Sequence, residues 1–513
     1  MKATEDRGGT TIHQRLNQIN NDIAKGAVWM VAFKFIDRGI GLASTIVLAR
    51  LLAPEDFGLI ALAMMLLSAL QLFFAFNFDV HLIQNPNAGR DQFDTVWTFN
   101  VLFTSICAIV MSGSAYWAAT FYHEPRLEMV IYVLALGVLV SGFSNIGPVI
   151  FRREMRFDRE FKFMLGRRLA PVLVTIPIAF WLRSYWALAL GQLAGLLAGV
   201  LLSYYMSAYR PRFSLKAKSE LFHASKWLVI NNLFGFLNGR AAEFVIAKFA
   251  GVAELGIYTI SSEISTLPTT ELVAPINRAA FPGYSRLAHD IDQLRNSFLS
   301  VISIIALFAL PAGIGIASVA DIMVPAVLGW KWTQSIPLIQ VLAIYGIFSA
   351  LQNNIGYVYL AVGRTRLITL VNGVQFVVLL ALLLPATWYR GATGAAWAFL
   401  GTAIVMTPIN QLLIARQLKL SIKSYGARLW RPFVAAFLMA LSVYFLKRNL
   451  TLGNDTTTYI LALLLCVAAG AIVYACALYG LWRLASRPEG AERACLTRVE
   501  QVMHKLGLRI IFV

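Results

Sequence analysis

The sequence predicts an all-α polytopic membrane protein with about fourteen transmembrane helices, organised as two six-helix lobes plus two C-terminal helices. Three observations carry that expectation. Of 513 residues, 58% are hydrophobic and 14% charged, against about 25% charged in an ordinary soluble domain. The apolar residues gather into segments near the roughly 20 residues that a helix needs to cross the hydrocarbon core. A short pattern at the end of the first segment returns at the end of the seventh and divides the chain into two similar blocks.

In chain order the segments lie near 26–50, 57–83, 95–121, 127–150, 167–183, 185–206, 227–250, 252–279, 296–318, 335–362, 367–387, 392–414, 432–446 and 457–481. Lipid offers the backbone no hydrogen-bond partner, so segments of this length select a helix bundle over a barrel. The first 25 residues, MKATEDRGGTTIHQRLNQINNDIAK, contain no apolar core of a cleaved signal peptide. The first span itself is therefore expected to direct insertion.

A formal net charge of +18 would suggest nucleic acid in a soluble protein, but here the charges sort by side of the membrane. With the N-terminus in the cytoplasm, 33 of the 44 Lys and Arg residues fall on the cytoplasmic side and 8 on the other, while Lys34, Arg38 and Arg240 lie inside spans. The positive-inside rule then puts both termini in the cytoplasm, and no nucleic-acid partner is expected. Cys107, Cys466 and Cys476 fall in spans and Cys495 in the C-terminal tail. They suggest neither a disulfide nor a thiolate metal site, and no metal or cofactor is expected.

The repeat aligns LARLLAPEDFGLI (48–60) with IAKFAGVAELGIY (246–258) at a constant offset of 198, matching an acid (Asp56, Glu254) and a glycine (Gly58, Gly256). The expected organisation is an N-terminal segment 1–25, a first lobe 26–206, a cytoplasmic linker 207–226 and a second lobe 227–416. Residues 417–484, with the last two spans, and a tail 485–513 complete it. Each block holds an even number of spans, so the lobes share one orientation, an arrangement typical of alternating-access transporters with substrate held between lobes. The stretch FRREMRFDREFKFMLGRR (151–168) mixes Arg with Phe. It either lies on the anionic inner leaflet, at about 1 kcal/mol per base, or simply supplies retention charges.

The chemistry-bearing residues begin with AFKFIDRGIG (32–41). A span starting after Arg38 would leave only residues 39–52 before Pro54, too few to cross, so Lys34, Asp37 and Arg38 enter with the helix. Lys34, about 12 Å from Gly26 at 1.5 Å per residue, is able to snorkel; Arg38 lies nearer the middle, and Asp37 is close enough to pair with Lys34. A charge at the helix centre costs roughly 2.5–3.5 kcal/mol and usually faces a wet cavity. The seventh span carries Arg240 and Glu243 in GFLNGRAAEFVIAK (235–248), and the repeat offset maps Arg240 to position 42, on one helical stripe with 34 and 38. Each lobe thus offers a cation at similar depth, suited to an anionic ligand held across the lobes; an Arg–Glu pair that only ties helices together is the alternative.

The eighth span, SSEISTLPTTELVAPINRAAFPGYSRL (261–287), contains Pro268 and Pro275, which kink a helix where it lines a cavity. Glu263 and Glu271 in the same span either couple transport to protons or serve a structural kink. Gly191, Gly195 and Gly199 form a ridge for close helix packing. Trp330 and Trp332 suit an interfacial aromatic belt. Enzyme signals are poor: no P-loop, HExxH or GxSxG is present. Asp290 and Asp292 sit in a short loop, and Asn449 and Asn454 satisfy a common sequon.

GAVWMVAFKFIDRGIGLASTIVLARLLAPEDFGLIALA, EISTLPTTELVAPINRAAFPGYSRL and the REMRF stretch after the fourth span resemble the Wzx-type polysaccharide flippases of the multidrug/oligosaccharidyl-lipid/polysaccharide (MOP) exporter superfamily. The likeness points in particular to bacterial lipopolysaccharide and exopolysaccharide transporters related to the colanic acid exporter, and runs over roughly residues 20–480. It implies a MATE-like fold and a flippase, not an enzyme, that carries an undecaprenyl-pyrophosphate-linked oligosaccharide across the bacterial inner membrane. Partners would be the lipid-linked oligosaccharide, membrane lipids, and polysaccharide polymerase and export machinery. On that reading Arg38 and Arg240 hold the pyrophosphate and Lys34 assists loading, while Asp37, Glu243, Glu263 and Glu271 balance charge or carry protons. A cation-coupled small-molecule exporter of the same superfamily is the first alternative, and a membrane glycosyltransferase or polymerase the second.

Overall fold

A lipid-facing segment must satisfy its N–H and C=O groups internally, and a helix does so without a neighbour. In the computed structural model, every regular element among the described residues is a helix. The structure describes residues 6–72, 82–83, 88–217, 226–450, 453, 455–487 and 490–500 except 494, 498 and 499, with backbone alone for 6–25, 27, 226–232, 268–270 and 422. The chain divides into two compact units, Met1–Ile230 and Asn231–Val513.

The first unit contains α1 (Asp6–Leu51), α2 (Pro54–Leu72), α3 (Arg90–Tyr122), α4 (Arg126–Gly142), a short α5 (Val149–Arg153), α6 (Phe157–Leu182) and α7 (Trp186–Met206). Pro54 opens α2 with Glu55 and Asp56 in its first turn, where proline needs no N–H partner and carboxylates meet the positive end of the helix. The glycine ridge of α7 lies along α6: Gly191, Gly195 and Gly199 face Thr175, Pro171 and Arg167 in turn. A Cβ on Gly191 would fall 1.7 Å from Thr175 Oγ1, so only a residue without one permits this approach. The opposite face of α6 exposes Leu173, Phe180 and Trp181, an apolar surface that suits lipid rather than water.

After α7 the linker has no regular secondary structure over 207–215 and is laid along α3. The N–H groups of Arg212, Ser214 and Ala217 donate to Asp94 Oδ1 (2.8 Å), Thr98 Oγ1 (3.0 Å) and Thr95 Oγ1 (3.3 Å). The rest of the expected linker, 218–225, lies outside the described residues, as does Asn454 of the second sequon.

Helix α8 (Lys226–Phe249) leads into the second unit. There follow α9 (Val252–Pro268), a π turn (Thr269–Val273), α10 (Ala274–Arg286), α11 (Ile291–Met323) with a terminal π turn (Val324–Leu328), and a 3-10 turn (Trp330–Trp332). Then come α12 (Ser335–Ala361), α13 (Thr365–Leu418), α14 (Ile422–Asn449) and α15 (Thr456–Leu484). At 54 residues, α13 would run about 81 Å if straight. It leaves helical geometry at Arg390 (φ −134°, ψ 16°) and Gly391 (φ 56°, ψ −140°), and Gly401 comes beside Leu382, so its halves 365–389 and 392–418 fold back as separate spans. Asp290 caps α11 by accepting from the N–H groups of Asp292 and Gln293 at 3.1 and 3.0 Å, which gives the loop acids a structural task.

The apolar segments fall on these helices, except that residues 73–81 of the second lie outside the described residues. Among the described residues nine helices are long and apolar enough to cross a membrane, with α13 counted once. The α4 and α9 helices are short, and α1 and α8 carry charged and amide side chains. Several helices overshoot their apolar runs: α3, α6 and α11 begin at 90, 157 and 291, against segment starts at 95, 167 and 296. Hydropathy marks where lipid touches the chain, whereas the backbone ladder continues until a cap stops it.

Candidate functional site

In the first unit α1 carries Lys34, Asp37 and Arg38, all half-buried. It packs along α6, with Trp29 and Phe33 against Phe161 at ring distances of 4.9 and 6.2 Å. This registration brings Arg168 of α6 to Asp37: Nε meets Oδ1 at 2.9 Å, and Nη2 donates to the Asp37 carbonyl oxygen at 3.4 Å. Arg168 stood at the end of a basic cytoplasmic stretch in the sequence. It also falls at the start of the expected segment 167–183, and because α6 begins at Phe157, with Asp158 and Glu160 in its first turn, Arg168 lies well inside the helix. Those two acids were the available signal, since carboxylates gather at helix starts. The local balance is cationic, with Lys34, Arg38 and Arg168 against Asp37.

In the second unit Arg240 Nη1 pairs with Glu243 Oε1 at 2.6 Å, one turn along α8; the arginine side chain is 46% exposed and the glutamate 11%. A guanidinium has five N–H donors, so this contact leaves Arg240 an exposed face with donors to spare for an anion. The phenol of Tyr258 lies within electrostatic range of both members. Two residues before Arg240, Asn238 Nδ2 donates to the carbonyl oxygen of Asn372 at 3.1 Å and joins α8 to the first half of α13. Glu263 in α9 and Glu271 in the π turn are half-buried. The backbone passes from α9 at Pro268 through that turn into α10, where Pro275 is the second residue.

Arg38 thus belongs to the first unit and Arg240 to the second. Each is a cation in a largely apolar run of its helix. Among the described residues no group of His, Cys, Asp and Glu is placed to hold a metal ion.

Residues 47–337 match the model of a family described as polysaccharide biosynthesis protein. The chain is similar to the lipopolysaccharide biosynthesis protein WzxC of Escherichia coli (strain K12), 24% identical over 417 residues, covering 80% of this chain and 84% of that protein. Among solved structures, the lipid II flippase MurJ in an inward closed conformation aligns with TM-score 0.69 at 13% identity, over 90% of this chain and all of that one (100%). An inward-facing multidrug resistance MATE family transporter of the MOP superfamily aligns with TM-score 0.58 at 15% identity, over 77% of this chain and 99% of that one. At these identities the likenesses establish the fold, which this chain shares with both of those transporters.

Proposed function

The chain belongs to the polysaccharide biosynthesis protein family, and from that premise we propose that it is a flippase, moving undecaprenyl-pyrophosphate-linked oligosaccharide across the bacterial inner membrane by alternating access, with both termini in the cytoplasm. The observation that carries this reading is the cationic surplus inside the spans. Lys34, Arg38, Arg168 and Arg240 stand against Asp37 and Glu243 in α1, α6 and α8. Each charge at the helix centre costs roughly 2.5–3.5 kcal/mol to insert, so a surplus is retained only where a ligand or water compensates it. A pyrophosphate compensates guanidinium groups through charge-assisted hydrogen bonds.

Arg38 and Arg240 each offer a cation to the pyrophosphate, and Lys34 assists at cytoplasmic loading. Asp37, paired with Arg168, and Glu243, paired with Arg240, balance charge or carry protons. Glu263 and Glu271, beside the Pro268–Pro275 break, balance charge or carry protons. The E. coli relative is named for lipopolysaccharide biosynthesis and the structural relative MurJ for flipping lipid II, which supports a lipid-linked substrate. Polymerase and export machinery are the expected protein partners.

A cation-coupled exporter of small molecules is the second reading, favoured by the MATE transporter likeness and by the acids of the eighth span. It calls for a net acidic site, opposite to the balance in α1, α6 and α8. Purified protein in proteoliposomes decides between them. The flippase exchanges a lipid-linked oligosaccharide between leaflets, and Arg38→Ala and Arg240→Ala abolish exchange at normal abundance. Full activity in both variants, or antiport of small cations with no lipid exchange, would sink the reading.

A further inference from the structure

The second unit encloses a cavity of about 260 Å³ between α12 and the two halves of α13. For helices at membrane depth its wall is rich in polar groups: Gln352 and Asn353 from α12, Asn372 and Gln375 from the first half of α13, and Asn410 from the second. None of its described lining residues is charged.

Part of this wall is held ready. Asn410 Nδ2 donates to Gln352 Oε1 at 2.9 Å, and Gln352 Nε2 donates to Thr407 Oγ1 at 2.7 Å and to the Ala403 carbonyl at 3.3 Å. Tyr359, only 2% exposed, lines the same space, and its buried hydroxyl has no hydrogen-bond partner. Buried hydroxyls normally find one. Tyr345 and Phe399, in edge contact at 5.3 Å, add aromatic surface.

We propose that this cavity is a subsite for one neutral sugar residue of the transported glycan, an assignment that rests on the flippase reading. A hexose presents hydroxyls that both donate and accept, together with apolar C–H faces. Carboxamides likewise donate and accept, and the aromatic rings suit the C–H faces. An anion would lack a cation in this wall. A monovalent cation would lack a carboxylate and leave the amide N–H and phenol O–H donors unmatched. The volume lies just under the usual small-molecule range, which starts near about 300 Å³, and suits a single ring. The cavity also lies beside the helix that carries Arg240: the backbone carbonyl of Asn372, in its wall, accepts from Asn238 of α8 at 3.1 Å. Sugar and pyrophosphate are covalently joined in the substrate, so neighbouring subsites for the two are expected.

The test uses the full chain in proteoliposomes with two probes, undecaprenyl pyrophosphate carrying a neutral hexose oligosaccharide and the bare undecaprenyl pyrophosphate. Tyr359→Phe removes one oxygen with little risk to folding, and Gln375→Leu removes an amide. The ratio of glycan-bearing to bare exchange should fall about fivefold for Tyr359→Phe, the loss of one hydrogen bond, and at least as far for Gln375→Leu. An unchanged ratio in both variants overturns the subsite and leaves a water-filled or structural cavity. Sodium dependence of both probes that both variants abolish assigns the cavity to a cation and overturns it equally. If the wild-type chain moves neither probe, the flippase reading fails by itself. Equilibrium dialysis of the free oligosaccharide against purified protein then decides the cavity: binding lost in Tyr359→Phe sustains it, and no binding to the wild-type chain removes it.

Discussion

Asp56 and Glu254, 198 residues apart in the sequence, hold equivalent turns in their respective units. Asp56 Oδ1 accepts the N–H of Tyr185 at 2.9 Å beside the start of α7, and Glu254 Oε2 accepts the N–H of Ala392 at 2.5 Å at the start of the second half of α13. In both units an acid in the first turn of the block's second span pins the connection between its fifth and sixth. The first N–H groups of a helix have no partner within it, so the position calls for an acceptor. The repeat in letters is therefore a repeat of hydrogen bonds.

Removing that acceptor should loosen the turn at Arg390–Gly391 in the second unit. Glu254→Ala is expected to cost about 1.5–3 kcal/mol, the range for hydrogen bonds to charged groups, and Glu254→Gln less, since the amide oxygen still accepts. Gly391→Ala should be comparably harmful: its φ of 56° disfavours a side chain, and a Cβ there would fall 2.0 Å from Glu254 Oε2. Thermal unfolding of purified protein in detergent gives the ranking, and an alanine variant at 254 as stable as wild type would contradict it.

The spans were legible because lipid imposes one rule on every backbone, and even the reversal at Arg390–Gly391 showed as a gap between apolar runs. Helix starts were not, because the first turns of α3, α6 and α11 lie outside the apolar segments. Counting Arg168 with the basic stretch 151–168, and not with the helix, hid it as the partner of Asp37. In the site, Arg38 and Arg240 stood out because a charge in an apolar run is conspicuous. The carboxamides of α12 and α13 carry no charge, so counting charges passed over LQNN at 351–354 although the run is plainly interrupted there.

The Asp37–Arg168 pair should behave as a unit. Arg168→Gln leaves the Asp37 carboxylate without this guanidinium in an apolar helix, and exchange of lipid-linked oligosaccharide should drop several-fold. Adding Asp37→Asn removes the stranded charge and should recover part of the loss. A double-mutant cycle on exchange rate and thermal stability is expected to show coupling of about 0.5–3 kcal/mol. Strictly additive effects would remove the pair from the account of the site.

The linker laid along α3 should be releasable through one residue. Asp94, 4% exposed, accepts from the N–H of Arg212 at 2.8 Å and from the Tyr209 hydroxyl, while Phe213 packs on Trp97 with ring centroids 4.9 Å apart. Burial, and then the Asp94 carboxylate, push the Tyr209 phenol well above its ordinary range, so it stays protonated and donating. Asp94→Ala should free the strap and speed tryptic cleavage after Arg212 by about tenfold or more, the opening factor for a lost charged hydrogen bond. Cleavage at the wild-type rate would mean that the strap is held elsewhere.

The turn between α3 and α4 should carry an acid-sensitive share of stability. Arg126 forks onto Glu124 through Nε at 2.7 Å and Nη2 at 2.9 Å, with Glu55 at 3.9 Å and the Tyr185 ring at 5.9 Å. Hydrogen bonding from Arg126 outweighs burial and holds the Glu124 carboxyl below its ordinary range. A depressed folded value means that the unfolded chain takes up the proton first as pH falls. The stabilisation is therefore full above the ordinary glutamate value of about 4.3 and fades as pH drops below it through the folded value. Solvent around Arg126 keeps the contribution to about 1 kcal/mol or less. Glu124→Gln should accordingly unfold at a slightly lower temperature than wild type at about pH 7, with the gap closing toward about pH 3. A gap that stays constant across that interval would show that Glu124 acts through packing of its side chain and not through its charge.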